Sequence, residues 1–342
     1  MLLKKVSNFL QKNKWRALAE KAKDKKKLSG FYNENYKLNV DGENYLFRFP
    51  MKSALMMDPR SFKEQDILSL LHGKDIAVPR ILYAEADGSF YVEEFIDGFT
   101  MEDRLPPGAK MPKPYLEQLA HFYHKLAVLK TSDVRPYIDA GAPAEGSARD
   151  FFSYIVSFSE DVFKRNSKKH AEQYEFLGLG AEPYAYFKQA SKALTDRPWR
   201  LIHADLHRGN IMVDHHKKLW FIDWELGLYG DLLLCIAAHI HRTRYYERER
   251  KMLIEDIKQG LPEAFLKNFD KDLEFYLNFE AMKSVITDTY RFPEIFKEER
   301  FSAKKEAELC MYYSDNLNKI APLIGCKTTT PDEALRWFQE WG

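Results

Sequence analysis

The stretch of residues 201–225 constrains the fold of this chain more than any other part of the sequence. It reads LIHADLHRGNIMVDHHKKLWFIDWE and contains two apolar runs, at residues 211–213 and 219–222, with a polar block between them. Two short apolar runs around a polar block are typical of strands joined by a tight loop, so we predict a β-hairpin. A four-residue loop would pair Asp214 with Leu219 across this hairpin.

The predicted register brings two potential metal ligands together. Continued outward from the loop, it places Asn210 opposite Asp223, and directly opposed side chains have Cβ atoms about 4.5–5.5 Å apart. Carboxylate and carboxamide oxygens are the hard ligands that Mg²⁺ prefers, with positions left for water and phosphate oxygens. Asp205 lies five residues before Asn210 and is a candidate base.

The order and spacing of these residues resemble a known family. His203, Asp205 and Asn210 form the pattern H-x-D-x4-N, and Asp223 follows thirteen residues later. The run is similar to the catalytic and metal loops of the aminoglycoside phosphotransferase and choline kinase family, small-molecule relatives of the protein kinases. The resemblance implies that Asp205 is the catalytic base and that His203 is a structural support. It also implies that Asn210 and Asp223 bind Mg²⁺.

Two other interpretations of the motif stay open at this point. His203 and His207, with Asp205 between them, could share one face of a strand and bind Zn²⁺ in a metallohydrolase. The chain could also be a catalytically inactive binding protein of kinase shape. The hairpin and Asp223 have no role in the zinc alternative. The presence of a candidate base and two candidate metal ligands argues against a catalytically inactive protein.

Length and composition limit the classes of protein to consider. The chain has 342 residues, 45% of them hydrophobic and 30% charged, which predicts one bilobal unit or two globular domains. A formal net charge of +1 gives no support for nucleic-acid binding. The three cysteines lack the close spacing of zinc or redox motifs and indicate reduced thiols in a cytoplasmic protein. Because charges interrupt every apolar run, we expect no signal peptide and no membrane span.

The first 95 residues have the pattern of a basic helix followed by a small sheet. Residues 1–27 hold ten Lys or Arg and only two acids, with apolar residues at helical spacing, which predicts an amphipathic helix with a solvated basic face. Residues 28–95 contain β-rich runs around the hairpin signal Asp41-Gly42 and resemble the N-lobe of a kinase. In that comparison Gly30 belongs to the loop that covers the phosphates.

Arg48 and Glu64 match the ion pair that kinases place beside the ATP phosphates. Arg48 lies in a predicted strand where kinases commonly carry Lys, and Glu64 follows sixteen residues later in a helix that Ser61 would cap. Arg is a departure from the family pattern, but it supplies a fixed positive charge and two donors to phosphate.

The resemblance places a hinge between two lobes near residue 95. Residues 78–83 and 89–95 have the composition of strands, with a turn at Asp87-Gly88 between them. In the family, backbone groups of the hinge contact the adenine edge, which implies Glu94 and Ile96 as the nucleotide contacts in this chain.

Helical periodicity dominates the later part of the sequence, and we predict a helical C-lobe over residues 96–342. Asp231 matches a family Asp that braces the catalytic loop, although the usual following Pro is Leu232 here. Cys235 stands where the family has another acidic residue, which is a further departure.

The sequence says less about the acceptor pocket than about any other part of the predicted site. His239 and Arg242 are candidates for its lining, and Glu280 and Asp288 lie eight residues apart, close to one face of a predicted helix. These two acids could bind a cationic acceptor or form a solvated helix surface. Aromatic residues of the C-terminal part could form a cage for a quaternary ammonium group or belong to a core.

We therefore predict a protein-kinase-like α+β fold, with a β-rich N-lobe and a mainly helical C-lobe. The resemblance implies a monomeric or homodimeric enzyme that uses ATP or GTP with Mg²⁺ to phosphorylate a hydroxyl of a small molecule. We favour an amine-bearing antibiotic of the aminoglycoside type as the acceptor, which would make the enzyme a resistance factor. The alternative acceptors are choline or ethanolamine and a sugar-like metabolite.

Overall fold

The structure is a computed structural model that describes residues 2–28, 33–51, 60–139, 142–143, 145–298 and 301–342, with the backbone alone for residues 2–11. In this part of the chain the strands are β1 (Lys27–Leu28), β2 (Asn33–Val40), β3 (Glu43–Pro50), β4 (Ile81–Ala84), β5 (Tyr91–Glu94), β6 (Gly98–Thr100), β7 (Arg200–Ile202), β8 (Ile211–Asp214), β9 (Leu219–Phe221) and β10 (Leu228–Gly230). The helices are α1 (Leu2–Lys23), α2 (Glu64–His72), α3 (Met101–Arg104), α4 (Lys113–Val128), α5 (Thr131–Val134), α6 (Ala148–Ser167), α7 (Ala171–Leu177), α8 (Ala185–Ala190), α9 (Leu232–Thr243), α10 (Glu247–Gly260), α11 (Phe269–Glu298), α12 (Ala303–Ile324) and α13 (Pro331–Trp341).

Contacts between residues group the chain into two compact units, each assembled from separate segments. The first unit comprises Met1–Ala142, His203–Leu228 and Tyr245–Gly260, and the second comprises Pro143–Ile202, Tyr229–Arg244 and Leu261–Gly342. Strands dominate the beginning of the chain and helices its later part, which confirms the predicted α+β class. The lobe boundaries at residues 27 and 95 stay a prediction.

The first unit contains a five-stranded sheet with the order β1-β2-β3-β5-β4. The predicted hairpin of β2 and β3 is present, and its turn residues Asp41 and Gly42 have φ angles of 55° and 91°. Two consecutive positive φ angles are those of a type I′ turn, whose twist matches that of the flanking strands. The Asp-Gly pair therefore sets the register of this hairpin.

Helix α1 covers one face of the sheet through an apolar stripe. The ring centroid of Trp15 lies 5.5 Å from that of Tyr45 and 6.2 Å from those of Phe47 and Tyr83. Ala19, one helical turn further on, is buried in the same cluster. The basic first helix is thus packed on the sheet, and its exposed lysines, such as Lys14, face away from that contact.

Two basic side chains of α1 fasten the helix to the residue that follows β4. Nζ of Lys12 lies 3.1 Å and Nε of Arg16 lies 2.6 Å from the carboxylate of Glu85. The hydrogen bond from Arg16 holds the pKa of Glu85 well below its usual range. The ion pairs therefore supplement the apolar contact of the helix.

The other face of the sheet is polar. Arg48 on β3 lies opposite Asn35 on β2 and opposite Tyr91 on β5, and directly opposed residues project from the same face. Glu93, two residues further along β5, shares this face. All four residues are buried, so the sheet presents a buried polar surface on the side away from α1.

The hairpin predicted from the two apolar runs is present as β8 and β9, and β6 pairs with β8 to complete a three-stranded sheet. The predicted register is wrong by one residue, because Val213 rather than Asp214 pairs with Leu219. The loop has three residues, since the amide of Asp214 donates to the carbonyl of Lys218 at 3.1 Å. The last loop residue, Lys217, has a φ of 63°, a left-handed conformation that usually selects Gly.

The second unit is mainly helical. Its longest helix, α11, packs against α6, α9, α12 and α13. Phenyl rings fill the contact between α6 and α11, where Phe152 lies 4.9 Å from both Phe275 and Phe279 between ring centroids. Within the part of the chain that the structure describes, no helix combines the length and the apolar character that a membrane crossing needs.

Candidate active site

His203 anchors the loop that carries Asp205. It is fully buried, its Nε2 atom lies 2.9 Å from the carbonyl oxygen of Ile222, and its Nδ1 atom accepts a hydrogen bond of 3.3 Å from the amide of Asp205. With Nδ1 accepting, Nε2 carries the proton. Burial lowers the pKa of His203, which keeps the ring neutral. These contacts fit the supporting role that the resemblance implies.

The same contacts exclude His203 as a metal ligand. Both ring nitrogens are engaged with the backbone, so neither lone pair is available to zinc. Residues 203–207 also form no strand, and the shared strand face that would align His203 with His207 is absent. The zinc alternative is therefore wrong.

Asn210 orients Asp205 and presents its own oxygen. Its Nδ2 group donates to the carbonyl oxygen of Asp205 at 2.9 Å and lies 3.4 Å from the Oδ2 atom of Asp205. Because the NH₂ group is used in this way, the carboxamide oxygen is the atom of Asn210 that can bind a cation.

His207 lies between Asp205 and Glu102 of α3, a position that the sequence analysis did not predict. Its Nε2 atom lies 3.8 Å from Asp205 Oδ2, and its Nδ1 atom lies 3.8 Å from Glu102 Oε2. The amide of Gly209 donates to Nδ1 at 3.0 Å, so the proton on Nε2 faces Asp205. A Cβ atom at Gly209 would lie 2.7 Å from the imidazole, so any other residue here would displace His207.

Asp223 follows β9 and turns the chain into a short 3-10 helix, Trp224–Leu226. Its φ of 64° is a left-handed conformation that Asp tolerates better than most residues. The amide of Ile222 donates to the carbonyl of Asn210 at 3.0 Å, so Ile222, and not Asp223, lies opposite Asn210. This correction follows from the three-residue loop, and it leaves Asp223 as the next residue beyond the pair.

Arg48 is the centre of an ion-pair network in the first unit. Its guanidinium lies 2.9 Å from Glu64, 2.8 Å from Asp223, 3.6 Å from Glu225 and 3.9 Å from Glu93. The side chain of Arg48 is only 5% exposed. One cation facing four carboxyl groups leaves an excess of negative charge unless some of the acids bind protons.

Two of these acids are held mostly in their neutral form at pH 7. Burial raises the pKa of Glu93 to about 8, although Arg48 opposes the shift. Burial and the neighbouring carboxylate of Asp223 raise the pKa of Glu225 to about 8. Glu225 also accepts a hydrogen bond of 2.6 Å from Asn33 on β2. The network is therefore balanced by protons as well as by Arg48.

Three of the acids form a possible cation site. Oxygen atoms of Glu64, Asp223 and Glu225 lie within 4.8 Å of one another, and no other such trio of Asp, Glu, His or Cys occurs among the described residues. Carboxylate oxygens suit Mg²⁺ or Mn²⁺ better than a softer metal. The donor set thus fits the cation that the resemblance implies. The sequence analysis assigned no role to Glu225. Its position two residues after Asp223 could have indicated one.

Glu64 holds its place without the predicted cap. Helix α2 begins at Glu64 itself, and the preceding Lys63 makes no side-chain cap. Ser61 is not the cap that we predicted, since it lies before the helix and its carbonyl accepts a hydrogen bond of 3.0 Å from the amide of Asp139. The carboxylate of Glu64 instead accepts a hydrogen bond of 3.0 Å from the amide of Trp224, which ties α2 to the segment after Asp223.

The structure describes the predicted nucleotide contacts in part. Gly30 lies outside the described residues. The amide of Glu94 donates to the carbonyl of Arg80 at 3.0 Å, and the carboxylate of Glu94 accepts from the amide of Arg80 at 2.9 Å. The backbone of Glu94 can therefore offer a nucleotide only its carbonyl oxygen. Ile96 lies in the irregular segment between β5 and β6.

Asp231 occupies the N-cap of α9 in the second unit. Its carboxylate accepts hydrogen bonds of 3.0 Å from the amide of Leu233 and 3.2 Å from the hydroxyl of Tyr276, and it lies 3.5 Å from Arg197. These contacts make Asp231 a buried structural acid of the second unit. Bracing of the catalytic loop by Asp231 stays a prediction.

The two acids predicted for a cationic acceptor are each paired with a cation. Glu280 lies 2.7 Å from Lys283, and Asp288 lies 2.7 Å from Arg291. Both acids are buried, so they do not form the solvated helix surface that was the alternative. Burial raises the pKa of Asp288 to about 6, with Arg291 opposing the shift.

The other two acceptor candidates differ in exposure. His239 is fully buried on α9, where its Nδ1 atom lies 3.4 Å from the hydroxyl of Thr243. Arg242 is partly exposed on the same helix. Of this pair, only Arg242 presents its side chain at a surface that an acceptor could reach.

The chain resembles known proteins both in sequence and in fold. The sequence model of the phosphotransferase enzyme family matches residues 26–264. No curated protein sequence matches the chain at a significant level.

Several solved structures share the fold over nearly their whole length. Choline kinase LicA from Streptococcus pneumoniae is 16% identical, with a TM-score of 0.55 over 91% of this chain and 99% of that chain. A choline/ethanolamine kinase family protein from Mesorhizobium loti is 13% identical, with a TM-score of 0.54 over 92% of each chain. A thermostable mutant of aminoglycoside phosphotransferase APH(4)-Ia, in a ternary complex with ADP and hygromycin B, is 14% identical, with a TM-score of 0.52 over 94% of this chain and 97% of that chain.

At these identities the likeness establishes the fold, and it confirms the predicted kinase-like architecture. The family match covers more than two thirds of the sequence and includes both the Arg48 network and the H-x-D-x4-N motif. The chain therefore belongs to the phosphotransferase enzyme family.

Proposed function

We propose that the protein transfers the γ-phosphate of ATP to a hydroxyl group of a small molecule. The observation that carries this proposal is the arrangement within the first unit, where Asp205 and Asn210 are hydrogen-bonded and Asp223 is paired with Arg48. A base, two oxygen ligands and a fixed cation are the parts that phosphoryl transfer requires. The ADP complex of the related aminoglycoside phosphotransferase supports a nucleotide donor.

In this proposal Asp205 accepts the proton of the acceptor hydroxyl. The Nε2 proton of His207 faces Oδ2 of Asp205 across 3.8 Å and favours one orientation of the carboxylate. Mg²⁺ would be held by the carboxamide oxygen of Asn210 and the carboxylate of Asp223, with Glu225 close by, and it would neutralise charge on the phosphates. Arg48 engages only the Oδ1 atom of Asp223, which leaves Oδ2 as a ligand.

For the acceptor, we propose an amine-bearing, hydroxyl-rich antibiotic of the aminoglycoside type first and choline or ethanolamine second. Two named relatives, a choline kinase and a hygromycin B complex, represent these classes. A cationic acceptor that uses Glu280 or Asp288 must displace Lys283 or Arg291. If neither class is turned over, a neutral sugar-like acceptor is the remaining candidate.

The acceptor proposal gives opposite expectations for the two members of one ion pair. If Glu280 binds the cationic acceptor, Lys283→Met should lower KM for that acceptor and Glu280→Gln should raise it, each by about fivefold. Lys271→Met, at an exposed lysine near the start of α11, serves as the matched control. Equal KM values in all three variants would remove Glu280 from the acceptor site.

The donor and cation are tested by thermal unfolding. ATP should raise the melting temperature in the presence of Mg²⁺ and have little effect in its absence, because the oxygen ligands repel phosphate without the cation. GTP, tested in parallel, identifies the preferred base. We propose a cytoplasmic enzyme, as a monomer or homodimer, since its donor is ATP and its three cysteines form no disulfide.

A further inference from the structure

A cavity of about 290 Å³ lies in the first unit, between the segment that follows α2, one side of α4 and strand β9. None of the residues to which we assign a part in phosphoryl transfer lines this cavity. Its volume, roughly the lower limit for small-molecule pockets, is enough for a ligand of one or two rings. The cavity is therefore a second site to be explained.

The inner wall of the cavity consists of stacked aromatic rings. Phe122 of α4 and Phe221 of β9 lie 3.9 Å apart between centroids at an interplanar angle of 22°, and both are buried. Ile76 and Leu219 complete an apolar wall. Because each ring covers one face of the other, the wall presents ring edges, which favour contact with the face of an aromatic ligand over a polar or flexible one.

The rim of the cavity is basic. Lys125 and Lys218 line it together with His72 and His121, whereas Asp75 is the one acid among its lining residues. Nζ of Lys218 lies 4.1 Å from the ring centroid of Trp220, so its charge is held beside the aromatic surface. A ligand with a negative group beside its ring matches both parts of the cavity.

Asp75 already forms an ion pair with Lys125, one of these cations. Its carboxylate lies 3.1 Å from Nζ of Lys125, although the side chain is 96% exposed. The residue has a φ of 56°, a left-handed conformation that Asp and Asn adopt more readily than other residues. The carboxylate of Asp75 thus competes with any anion that approaches Lys125.

We propose that this cavity is a binding site for a small planar ring compound that carries one carboxylate or a similar anionic group. The ring of the ligand contacts the edges of Phe122 and Phe221, and the anion replaces Asp75 as the partner of Lys125 and contacts Lys218. The ligand also touches Phe221, two residues before Asp223, so that it binds next to the strand that leads into the candidate active site.

The proposal is tested with benzoate as the probe and benzyl alcohol as its neutral counterpart. The full-length protein is labelled with 5-fluorotryptophan, and the ¹⁹F signal of Trp220 is assigned from the Trp220→Phe variant. Benzoate should shift the Trp220 signal in a saturable manner, with or without saturating ADP and Mg²⁺. Benzyl alcohol should bind more weakly, because it lacks the charge.

Two variants move the affinity in opposite directions. Lys218→Glu should weaken benzoate binding by about fivefold, and Asp75→Asn should strengthen it by about twofold to fivefold, since Asn keeps the backbone conformation and frees Lys125. Lys130→Glu, an exposed residue beyond the C-terminal end of α4, is the matched control and should bind as the wild type does. A tighter variant cannot result from misfolding. Equal binding of benzyl alcohol, loss of binding with ADP, or no gain of affinity in Asp75→Asn would overturn the proposal.

Discussion

At the scale of single residues, the most informative departure from the family pattern is Arg48. A lysine offers one point charge, whereas the planar guanidinium contacts Glu64 through one terminal nitrogen and Asp223 through the other. The same side chain also lies within 4 Å of Glu93 and Glu225. Arg48 therefore joins strand β3, helix α2 and the segment after β9 in one buried network.

Replacement of Arg48 tests this network. Arg48→Met leaves buried carboxyl groups without their cation, and it should lower the free energy of unfolding by about 3–5 kcal/mol. Arg48→Lys keeps the positive charge, but the lysine can contact fewer of the acids. The free energy of unfolding should therefore fall less than in Arg48→Met. Arg80→Met, at an exposed arginine, is the control. The free energy of unfolding is measured in urea. Equal values for Arg48→Met and Arg80→Met would contradict the role of Arg48 as the centre of a stabilising network.

Glu93 makes stability depend on pH. Its ordinary pKa is 4.5, and its pKa in the folded protein is about 8, chiefly because it is buried. As the pH rises from 5 towards 8, the unfolded chain loses this proton first, so the folded state loses stability over that interval. Glu93→Gln mimics the neutral form and should flatten the decline.

The measurement is the free energy of urea unfolding at pH 5.5 and pH 8.5, without nucleotide and with EDTA. The wild-type protein should lose more stability between these pH values than Glu93→Gln does. Glu117→Gln, on the exposed face of α4, should keep the wild-type dependence. Parallel curves for Glu93→Gln and the wild type would show that Glu93 is already ionised at neutral pH.

At the scale of elements, helix α1 supplies the apolar cover of the five-stranded sheet. Trp15→Ala removes the ring that contacts Tyr45, Phe47 and Tyr83, and it should destabilise the protein by about 3–5 kcal/mol. Lys14→Ala, on the exposed side of the same helix, should change stability by less than about 0.5 kcal/mol. The free energy of unfolding of both variants is measured by thermal or urea unfolding. If Trp15→Ala loses as little stability as Lys14→Ala, helix α1 does not cover the sheet.

The elements near the motif were predictable from sequence because their signals are local. Asp41-Gly42 specifies its own turn, and the apolar runs specify β8 and β9. The register of the second hairpin was not predictable in the same way, since its loop uses Lys217 at a positive φ angle where a sequence pattern would require Gly. A one-residue change in loop length then moved the partner of Asn210 from Asp223 to Ile222.

In the candidate site, too, local motifs were predictable from sequence and contacts between distant segments were not. Asp205 and Asn210 were found because they belong to one short motif, whereas the approach of Glu93 to Arg48 depends on the pairing of β3 with β5, which are distant in sequence. The neutralising partners of Glu280 and Asp288 could have been predicted. Lys283 and Arg291 each lie three residues further along α11, a spacing at which helical side chains meet.

At the scale of the whole molecule, the fold does not identify the acceptor. Structures at 13–16% identity share the fold and include proteins named as choline kinases and as aminoglycoside phosphotransferases. A common fold with different acceptors is expected, because function resides in sites that differ between proteins of one fold. The acceptor must therefore be identified by assay, with a panel that contains both aminoglycosides and choline.

The most direct test of the central claim is ATP turnover by Asp205→Asn. We measure the ³¹P signal of ATP hydrolysis, and of transfer in the presence of the acceptor panel, together with the dissociation constant of ATP and Mg²⁺. Removal of the base should lower kcat by about 10²-fold to 10⁴-fold, while the dissociation constant changes by less than about twofold. A variant that binds ATP normally and turns over at the wild-type rate would contradict the assignment of Asp205 as the base, and with it the proposed mechanism.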